Sequence, residues 1–260
     1  MKKKENLVLV HSFPTNSILL SGLIHFLKDY FHVYPIDLPG FVAKNPPLKK
    51  ITMQGFSDYL DSEIRKLKLD HYIVGGISFG YWVVSSAQLN RNCRGVLAIE
   101  PYTDWKCLRQ ERVTLLKRIF FISLIRVVNL LNLYKVVWKS KQWRKSYLSV
   151  SGYYAKRNKI ILREIDPKTF ATCARFILGN RKPVQVHDLP TVLLINPNDS
   201  TLDGKYVKEF FKQRTSKLLV MKTKIGHYPR KVTKKYFQKH IKKDDIEKMY
   251  SFLEGYSGKL

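Results

Sequence analysis

A short glycine-flanked serine motif constrains the fold of this 260-residue chain more than any other feature. The apolar run 72–75 leads directly into residues 76–80, Gly-Ile-Ser-Phe-Gly, and then into a helix-forming segment. A buried strand that turns sharply into a helix at Ser78 requires small residues on both sides, because a Cβ there would crowd the backbone. Gly76 and Gly80 meet that requirement. The pattern predicts a serine nucleophile on a strand-to-helix turn.

Two further segments supply the groups that a serine nucleophile needs. Residues 193–195 indicate a buried strand, and Asp199 follows at its carboxyl end. Another strand is predicted over 217–221, and the loop after it, marked by glycine and proline, carries His227. In this arrangement His227 accepts the proton of Ser78, and Asp199 holds the imidazole in the correct tautomer.

The chain order Ser, Asp, His, with each residue after a predicted strand, resembles the α/β-hydrolase superfamily. The resemblance extends to the strand 7–10 and to residues 11–14, His-Ser-Phe-Pro, which look like the superfamily's His-Gly-x-Pro oxyanion loop. It implies that the backbone N–H groups of Phe13 and Phe79 bind the oxyanion. In this chain Ser12 replaces the superfamily's usual glycine.

Strands that alternate with helices predict an α/β fold with a mostly parallel sheet flanked by helices. Strands are predicted at 7–10, 33–36, 72–75, 95–99, 193–195 and 217–221, and helices at 17–30, 53–67 and 79–90. The resemblance covers residues 7–100 and 188–255, including the Asp-Leu-Pro-Gly-Phe turn at 37–41. It implies an α/β-hydrolase fold of six strands that lacks the superfamily's usual first two strands.

The stretch 101–187 interrupts this alternation, since it has few strand signals and many helix formers. It predicts an inserted helical cap on a core formed by residues 1–100 and 188–260. Within it, residues 113–138 are rich in apolar side chains but contain four basic residues. Those charges disfavour a membrane span. Two interpretations stay open: cap helices whose apolar faces cover the pocket, and an interfacial helix on an anionic bilayer.

A formal net charge of +27, from 47 Lys and Arg against 20 Asp and Glu, is the second unusual feature. Each basic residue near an anionic membrane surface contributes about 1 kcal/mol to binding. No helix-turn-helix, zinc-finger or RNA-stacking signature is present, so no specific nucleic-acid partner is predicted. A peripheral contact with an anionic membrane, an anionic ligand and a solvated surface without a partner all remain open.

The three cysteines, Cys93, Cys107 and Cys173, show neither metal-ligand spacing nor an even disulfide framework. No metal and no cofactor are predicted, and a reducing cytoplasm fits this cysteine usage best, with a peripheral position at the inner membrane surface as an alternative. The apolar run after the basic residues 2–4 is too short for a secretion signal. The sequence makes no prediction of oligomeric state.

Four other residues near the predicted site have competing interpretations. His11, Phe41 and Tyr228 could line the substrate pocket, although a histidine in such a loop more often holds it by hydrogen bonds and loop aromatics more often pack. Glu100 ends the strand after the nucleophile helix, and it is an alternative to Asp199 as the orienting acid.

These observations predict a serine hydrolase that cleaves a small-molecule carboxylic ester, or a related acyl compound, through an acyl-enzyme. Related scaffolds support other reactions with the same triad, so a thioesterase, a C–C bond hydrolase and an acyltransferase are alternatives. A further alternative is a non-catalytic or weakly catalytic basic protein that binds anionic membranes or an anionic ligand.

Overall fold

A computed structural model describes residues 4–109, 114–149, 153–227 and 232–257. Its six strands form one parallel sheet in the order β2-β1-β3-β4-β5-β6. The strands are β1 Asn6–Val10, β2 His32–Ile36, β3 Tyr72–Ile77, β4 Cys93–Ile99, β5 Thr191–Ile195 and β6 Leu218–Lys222. The α/β class is confirmed, and within the described ranges no antiparallel strand joins the sheet, as expected for a fold without the first two strands.

Helices connect the strands and also form a long group between β4 and β5. The helices are α1 Ser21–Leu27, α2 Met53–Leu67, α3 Phe79–Ser86, α4 Leu115–Leu130, α5 Tyr134–Lys139, α6 Lys141–Leu148, α7 Tyr153–Glu164, α8 Pro167–Gly179, α9 Gly204–Lys212, α10 Lys234–His240 and α11 Lys243–Ser257. Among the residues described, no helix combines the length and the apolar character that a membrane crossing requires.

Two predicted helices are shorter in the structure. The segment before α1 forms turns because the Ser17 amide and hydroxyl donate to the Asp37 carboxylate over 2.7 and 2.6 Å. Helix α3 ends at Ser86 rather than near Asn90, because the backbone of Ala87 is extended. The next amide, that of Gln88, donates to the Asp61 carboxylate over 2.9 Å and not to a helix carbonyl. Side-chain acceptors therefore end the helical pattern earlier than the residue preferences alone indicate.

The sheet has an apolar layer on each face, and this is why the sequences of its central strands are continuous hydrophobic runs. All six residues of β3 are buried. One face packs against α2, α3 and α9, and the other face packs against α1, α10 and α11. Ser78, Asp199 and His227 follow β3, β5 and β6, so they lie at the carboxyl edge of the sheet, which is where ligands bind in open α/β sheets.

Helices α4–α8, here named the cap helices, lie in the chain between two neighbouring strands. The two ends of this segment are joined, because the Val184 amide donates to the Thr103 carbonyl over 2.9 Å and the Trp105 amide donates to the Asn180 carbonyl over 3.1 Å. The division of the chain at 101 and 187 stays a prediction. The expectation that apolar helix faces in this segment cover the pocket is wrong for α4, whose apolar residues are largely exposed.

Candidate active site

Ser78 lies in a tight turn between β3 and α3. Its φ of 51° and ψ of −114° place a non-glycine residue in a rarely occupied region of backbone space. A Cβ on Gly76 would lie 2.5 Å from the Cα of Tyr81, and a Cβ on Gly80 would lie 2.6 Å from the carbonyl oxygen of Val10. Both distances are too short for a side chain, so the turn needs glycine at both positions, as the sequence predicted.

The turn presents the serine hydroxyl to a histidine from a distant loop. Ser78 Oγ lies 3.1 Å from His227 Nε2, within hydrogen-bond distance. On the other side of the ring, His227 Nδ1 lies 3.7 Å from Asp199 Oδ2, which is longer than a hydrogen bond. The other oxygen of Asp199 accepts from the amides of Thr201 and Leu202 over 2.6 and 2.7 Å. The structure therefore brings the three predicted residues together in the expected order.

Burial and charge act in opposite directions on the histidine. Loss of hydration lowers the pKa of His227 from its ordinary value of 6.5, and the Asp199 carboxylate partly offsets this. The ring is therefore neutral at pH 7. A neutral imidazole whose Nε2 faces a hydroxyl can accept the hydroxyl proton.

Glu100 is the second acid at this edge, and its environment differs from that of Asp199. Burial, together with the nearby Asp199 charge, raises the pKa of Glu100 to about 9. Its carboxyl accepts from the Asn196 amide over 2.5 Å. Glu100 is consequently protonated at neutral pH, which favours Asp199 over Glu100 as the ionised partner of His227.

The same three side chains would also be able to hold a metal ion. Glu100, Asp199 and His227 each offer one ligand atom, and these atoms lie within 4.8 Å of one another. A cation at this point would compete with the contact between His227 and Asp199.

Two residues that the sequence did not single out fix the loops of the site. Asn196 Nδ2 donates to the Ile225 carbonyl over 3.0 Å. This bond joins the loop after β5, which carries Asp199 (the acid loop), to the loop after β6, which carries His227 (the histidine loop). Arg109 Nε and Nη2 donate to the carbonyls of Asp199 and Pro197 over 2.6 and 3.3 Å. Asn196 comes directly after β5, and this position could have marked it in the sequence as a residue of the site. Arg109 is far from the acid loop in sequence and carried no such signal.

The loop after β1 lies beside the serine turn. The Thr15 hydroxyl donates to the Ser12 carbonyl over 2.8 Å, which leaves Ser12 Oγ to donate to Thr15 Oγ1 over 2.9 Å. Among the described non-glycine residues, positive φ angles occur at Lys68, Ser78, Glu100 and Asn132 and not at Ser12. Serine therefore fits at position 12 without backbone strain. The rings of Phe13 and Phe79 lie 6.3 Å apart. Phe79 begins α3, where the first amides have no acceptor within the helix.

Two of the candidate pocket residues, His11 and Phe41, are buried in the structure. The Leu38 amide donates to His11 Nε2 over 3.1 Å, and His11 Nδ1 donates to the Ser12 carbonyl over 2.9 Å. Burial also lowers the pKa of His11, which keeps the ring neutral. Phe41 has no exposed surface and lies 4.6 Å from the His11 ring. Neither residue is among those that line the cavity at His227, so a role for them in substrate binding stays a prediction, and Tyr228 lies outside the described residues.

A small apolar cavity is lined in part by Glu100 and His227, whereas Ser78 is not among the described residues on its walls. It has a volume of about 70 Å³ and lies between the sheet and helices α1, α10 and α11. Ser12, Thr15, Glu100 and His227 line it near the sheet edge, and Ile246 and Met249 of α11 also contribute to its walls. The space beside His227 is therefore largely hydrocarbon.

Comparison with known proteins gives structural matches only. No protein-family model and no curated protein matches the sequence. An esterase from Exiguobacterium antarcticum superposes with a TM-score of 0.68 at 11% identity, over 98% of this chain and 93% of that one. A putative lipase from Acinetobacter baumannii gives 0.67 at 14% identity, over 100% and 87%.

An epoxide hydrolase from Bacillus megaterium gives a TM-score of 0.64 at 13% identity, over 97% of this chain and 94% of that one. These proteins have different activities on one architecture, so the likeness concerns the fold and not the reaction. Together with the parallel six-stranded sheet and the serine turn, these matches show that the chain has the α/β-hydrolase fold.

Proposed function

We propose that this protein is a serine hydrolase that cleaves a carboxylic ester, or a related acyl compound, through an acyl-enzyme. The observation that carries the proposal is the 3.1 Å contact between Ser78 Oγ and His227 Nε2, with Asp199 behind the ring. A serine hydroxyl becomes an effective nucleophile when a neutral imidazole is placed to take its proton. The strained backbone at Ser78 favours this role over a structural one.

In the first half of the reaction, Ser78 Oγ forms a bond to the substrate carbonyl carbon, and its proton passes to His227 Nε2. The amides of Phe13 and Phe79 hold the oxyanion. The tetrahedral intermediate then expels the leaving alcohol, which takes the proton from His227. Asp199 stabilises the transient imidazolium throughout.

In the second half, water adds to the acyl-enzyme carbonyl and gives its proton to His227. Collapse of the intermediate releases the carboxylic acid and returns the proton to Ser78. No other reactant is needed, because the acid and the alcohol together contain the atoms of the ester and one water.

We propose that the acyl group enters the apolar cavity, which His227 lines although Ser78 does not, and that this group is short and aliphatic. A cavity of about 150 Å³ takes up benzene. The volume of about 70 Å³ beside His227 is roughly half of that, so we propose that a short chain fits it better than a long one. We expect hydrolysis of p-nitrophenyl esters to be fastest near the butyrate ester and to fall for octanoate.

Labelling with a fluorophosphonate probe tests the mechanism, because such probes bond to an activated serine. We expect one label at Ser78 in the folded protein and none in Ser78→Ala, with circular dichroism unchanged between the two. A folded wild-type protein that stays unlabelled and hydrolyses none of the esters would contradict the proposal. Labelling without ester turnover would instead point to a thioester or another acyl compound as the substrate.

A further inference from the structure

The surface of α4 is unusual for a helix of a globular protein. Helices normally turn apolar residues inward and charged residues outward. Helix α4 departs from this pattern, because Leu116, Phe120, Leu124 and Val127 share one side and are exposed. On the other side Arg118 is buried, and Arg126 lines the same cleft as residues of α8. Leu116 is 80% exposed and Phe120 is 63% exposed.

The exposed apolar residues are concentrated in one region. Of thirteen exposed large hydrophobic side chains in the part of the chain that the structure describes, all except Ile18 lie between Leu115 and Val137. They belong to α4, α5 and the turn between these helices, and we call them the apolar face. A concentration of exposed apolar side chains in one segment indicates a binding surface, whereas exposed residues scattered singly do not.

A cleft with the opposite chemistry lies beside the apolar face. It has a volume of about 580 Å³ and is lined by four arginines, Arg118, Arg126, Arg175 and Arg181, which we call the arginine cleft. No residue described on its walls is acidic. Four arginine residues on the walls of one cleft, without an acidic residue among the described lining, indicate a site for an anion that carries several oxygen atoms.

The Arg118 side chain is held in one position on the wall of the arginine cleft. Its side chain is buried and lies 4.2 Å from the Trp105 ring centroid, and its Nε and Nη2 donate to the Leu178 carbonyl over 3.1 and 2.7 Å. Its Nη1 is buried and has no acceptor among the described residues. Burial and the nearby Arg181 charge lower the pKa of Arg118, as expected where cations lie together without a counter-ion.

The charge of the surrounding chain points to the same kind of partner. No Asp or Glu occurs between Glu111 and Glu164 in the sequence, although Lys and Arg are frequent there. A second copy of this chain is a poor partner for the surface, because each copy carries a formal charge of +27. An anionic bilayer offers phosphate oxygens at its surface and a hydrocarbon phase a few ångströms deeper, which matches both parts of the surface.

We propose that the arginine cleft and the apolar face form one docking surface for an anionic lipid bilayer. Lipid phosphate groups occupy the cleft, and the apolar side chains of α4 and α5 enter the outer part of the acyl-chain region. This binding is independent of the hydrolase reaction, since none of the proposed catalytic side chains takes part in it.

Co-sedimentation with vesicles tests the proposal. We expect the protein to sediment with vesicles of phosphatidylcholine and phosphatidylglycerol, and to remain in the supernatant with phosphatidylcholine alone. Raising the salt concentration weakens binding because ions screen the charges. Ser78→Ala should bind like the wild type, which separates this test from that of the enzyme activity.

Double substitutions test whether the apolar face and the arginine cleft are the parts of the protein that bind the vesicles. Phe120→Ser with Leu124→Ser, and separately Arg126→Gln with Arg181→Gln, should each weaken binding about tenfold or more. The matched controls are Ile18→Ser for an exposed apolar residue and Lys235→Gln with Lys239→Gln for two exposed charges on α10. These controls should bind nearly as tightly as the wild type.

Several results would overturn the proposal. Equal loss of binding in the α10 control and in the Arg126 and Arg181 variant would show that only total charge matters. Thermal stabilisation by inorganic phosphate without any vesicle binding would assign the cleft to a free phosphate compound. A dimer that becomes a monomer on Phe120→Ser, without vesicle binding, would assign the apolar face to a second copy.

Tryptophan fluorescence gives an independent check. A Phe120→Trp variant should show a blue shift of emission with anionic vesicles, and brominated lipids should quench it more than they quench the wild type. An unchanged spectrum in the presence of bound vesicles would show that the apolar face stays in water, and it would contradict the insertion.

Discussion

The side-chain amide of Asn196 donates a hydrogen bond to the carbonyl of Ile225 over 3.0 Å. This bond connects the loop that carries Asp199 to the loop that carries His227. The Asn196 amide N–H also donates to Glu100 over 2.5 Å. One residue therefore holds the acid loop, the histidine loop and the end of β4 in a common arrangement.

Asn196→Ala should lower kcat by about 10-fold to 100-fold with little change in KM, because displacement of a catalytic group by about 1 Å has effects of this size. The measurement is steady-state hydrolysis of a short-chain ester. Asn198→Ala is the matched control, since Asn198 is exposed two residues away. A rise in KM with unchanged kcat would show that Asn196 acts on substrate binding instead.

The two acids should respond differently to neutral replacement. Asp199→Asn should lower kcat by roughly 10⁴-fold, because the imidazole loses the charge that fixes its tautomer and stabilises its cation. Glu100→Gln should change kcat less than about tenfold near neutral pH, since Glu100 is already uncharged there. Both are measured with the same ester. The opposite ranking would make Glu100 the orienting acid.

The pH dependence of the reaction should reflect the lowered pKa of His227. The reaction needs the neutral ring, so kcat/KM rises with pH through the pKa of the free enzyme's histidine. Because burial lowers this pKa, the midpoint of the acid limb should lie below 6.5. A profile of kcat/KM from pH 4 to pH 8 measures it. A midpoint at or above 7 would contradict the electrostatic description of the site.

Glu100 should make folding stability depend on pH. Its pKa is raised from 4.5 to about 9 in the folded protein, so between these values the folded state holds a proton that the unfolded state has released. Stability from this group is therefore fully present below the unfolded pKa and falls as pH rises towards 9.

Thermal unfolding of wild type and Glu100→Gln from pH 5 to pH 9 measures this effect. As pH rises, the Tm of the wild type should fall relative to the Tm of Glu100→Gln. Glu209→Gln, at an exposed position on α9, should follow the wild type. A difference that stays constant with pH would mean that Glu100 is not protonated in the folded protein.

Gly80→Ala should destabilise the protein by about 1–3 kcal/mol, since the added Cβ would meet the Val10 carbonyl oxygen and force the backbone apart. Gly255→Ala in α11 is the matched control, because nothing lies within 4 Å of its added Cβ. It should stabilise the helix by ~0.5–1 kcal/mol. Chemical denaturation of both variants gives the comparison, and a neutral Gly80→Ala would remove the argument for close packing of the serine turn.

The sequence predicted the sheet and the approximate site because both depend on local patterns. Ser78 and Asp199 each follow an apolar strand, and the carboxyl ends of parallel strands meet at one edge whatever the loops between them do. The protonated state of Glu100 was not predictable, because it arises from burial and from Asp199, which is distant in sequence. The sequence left two orientations open for the apolar side of α4, towards the pocket or outward, since residue periodicity gives the two faces of a helix but not which one meets the core.

The hydrogen bonds of Thr103 with Val184 and of Trp105 with Asn180 close the cap segment at its base. The chain leaves the sheet and returns to it at nearly one point, between strands that are already neighbours. A segment joined in that way can grow, shrink or be exchanged during evolution with little disturbance of the sheet, because its length adds only slowly to the entropy of closing the loop. The length and the surface of this segment can therefore change while the turn at Ser78 stays in place.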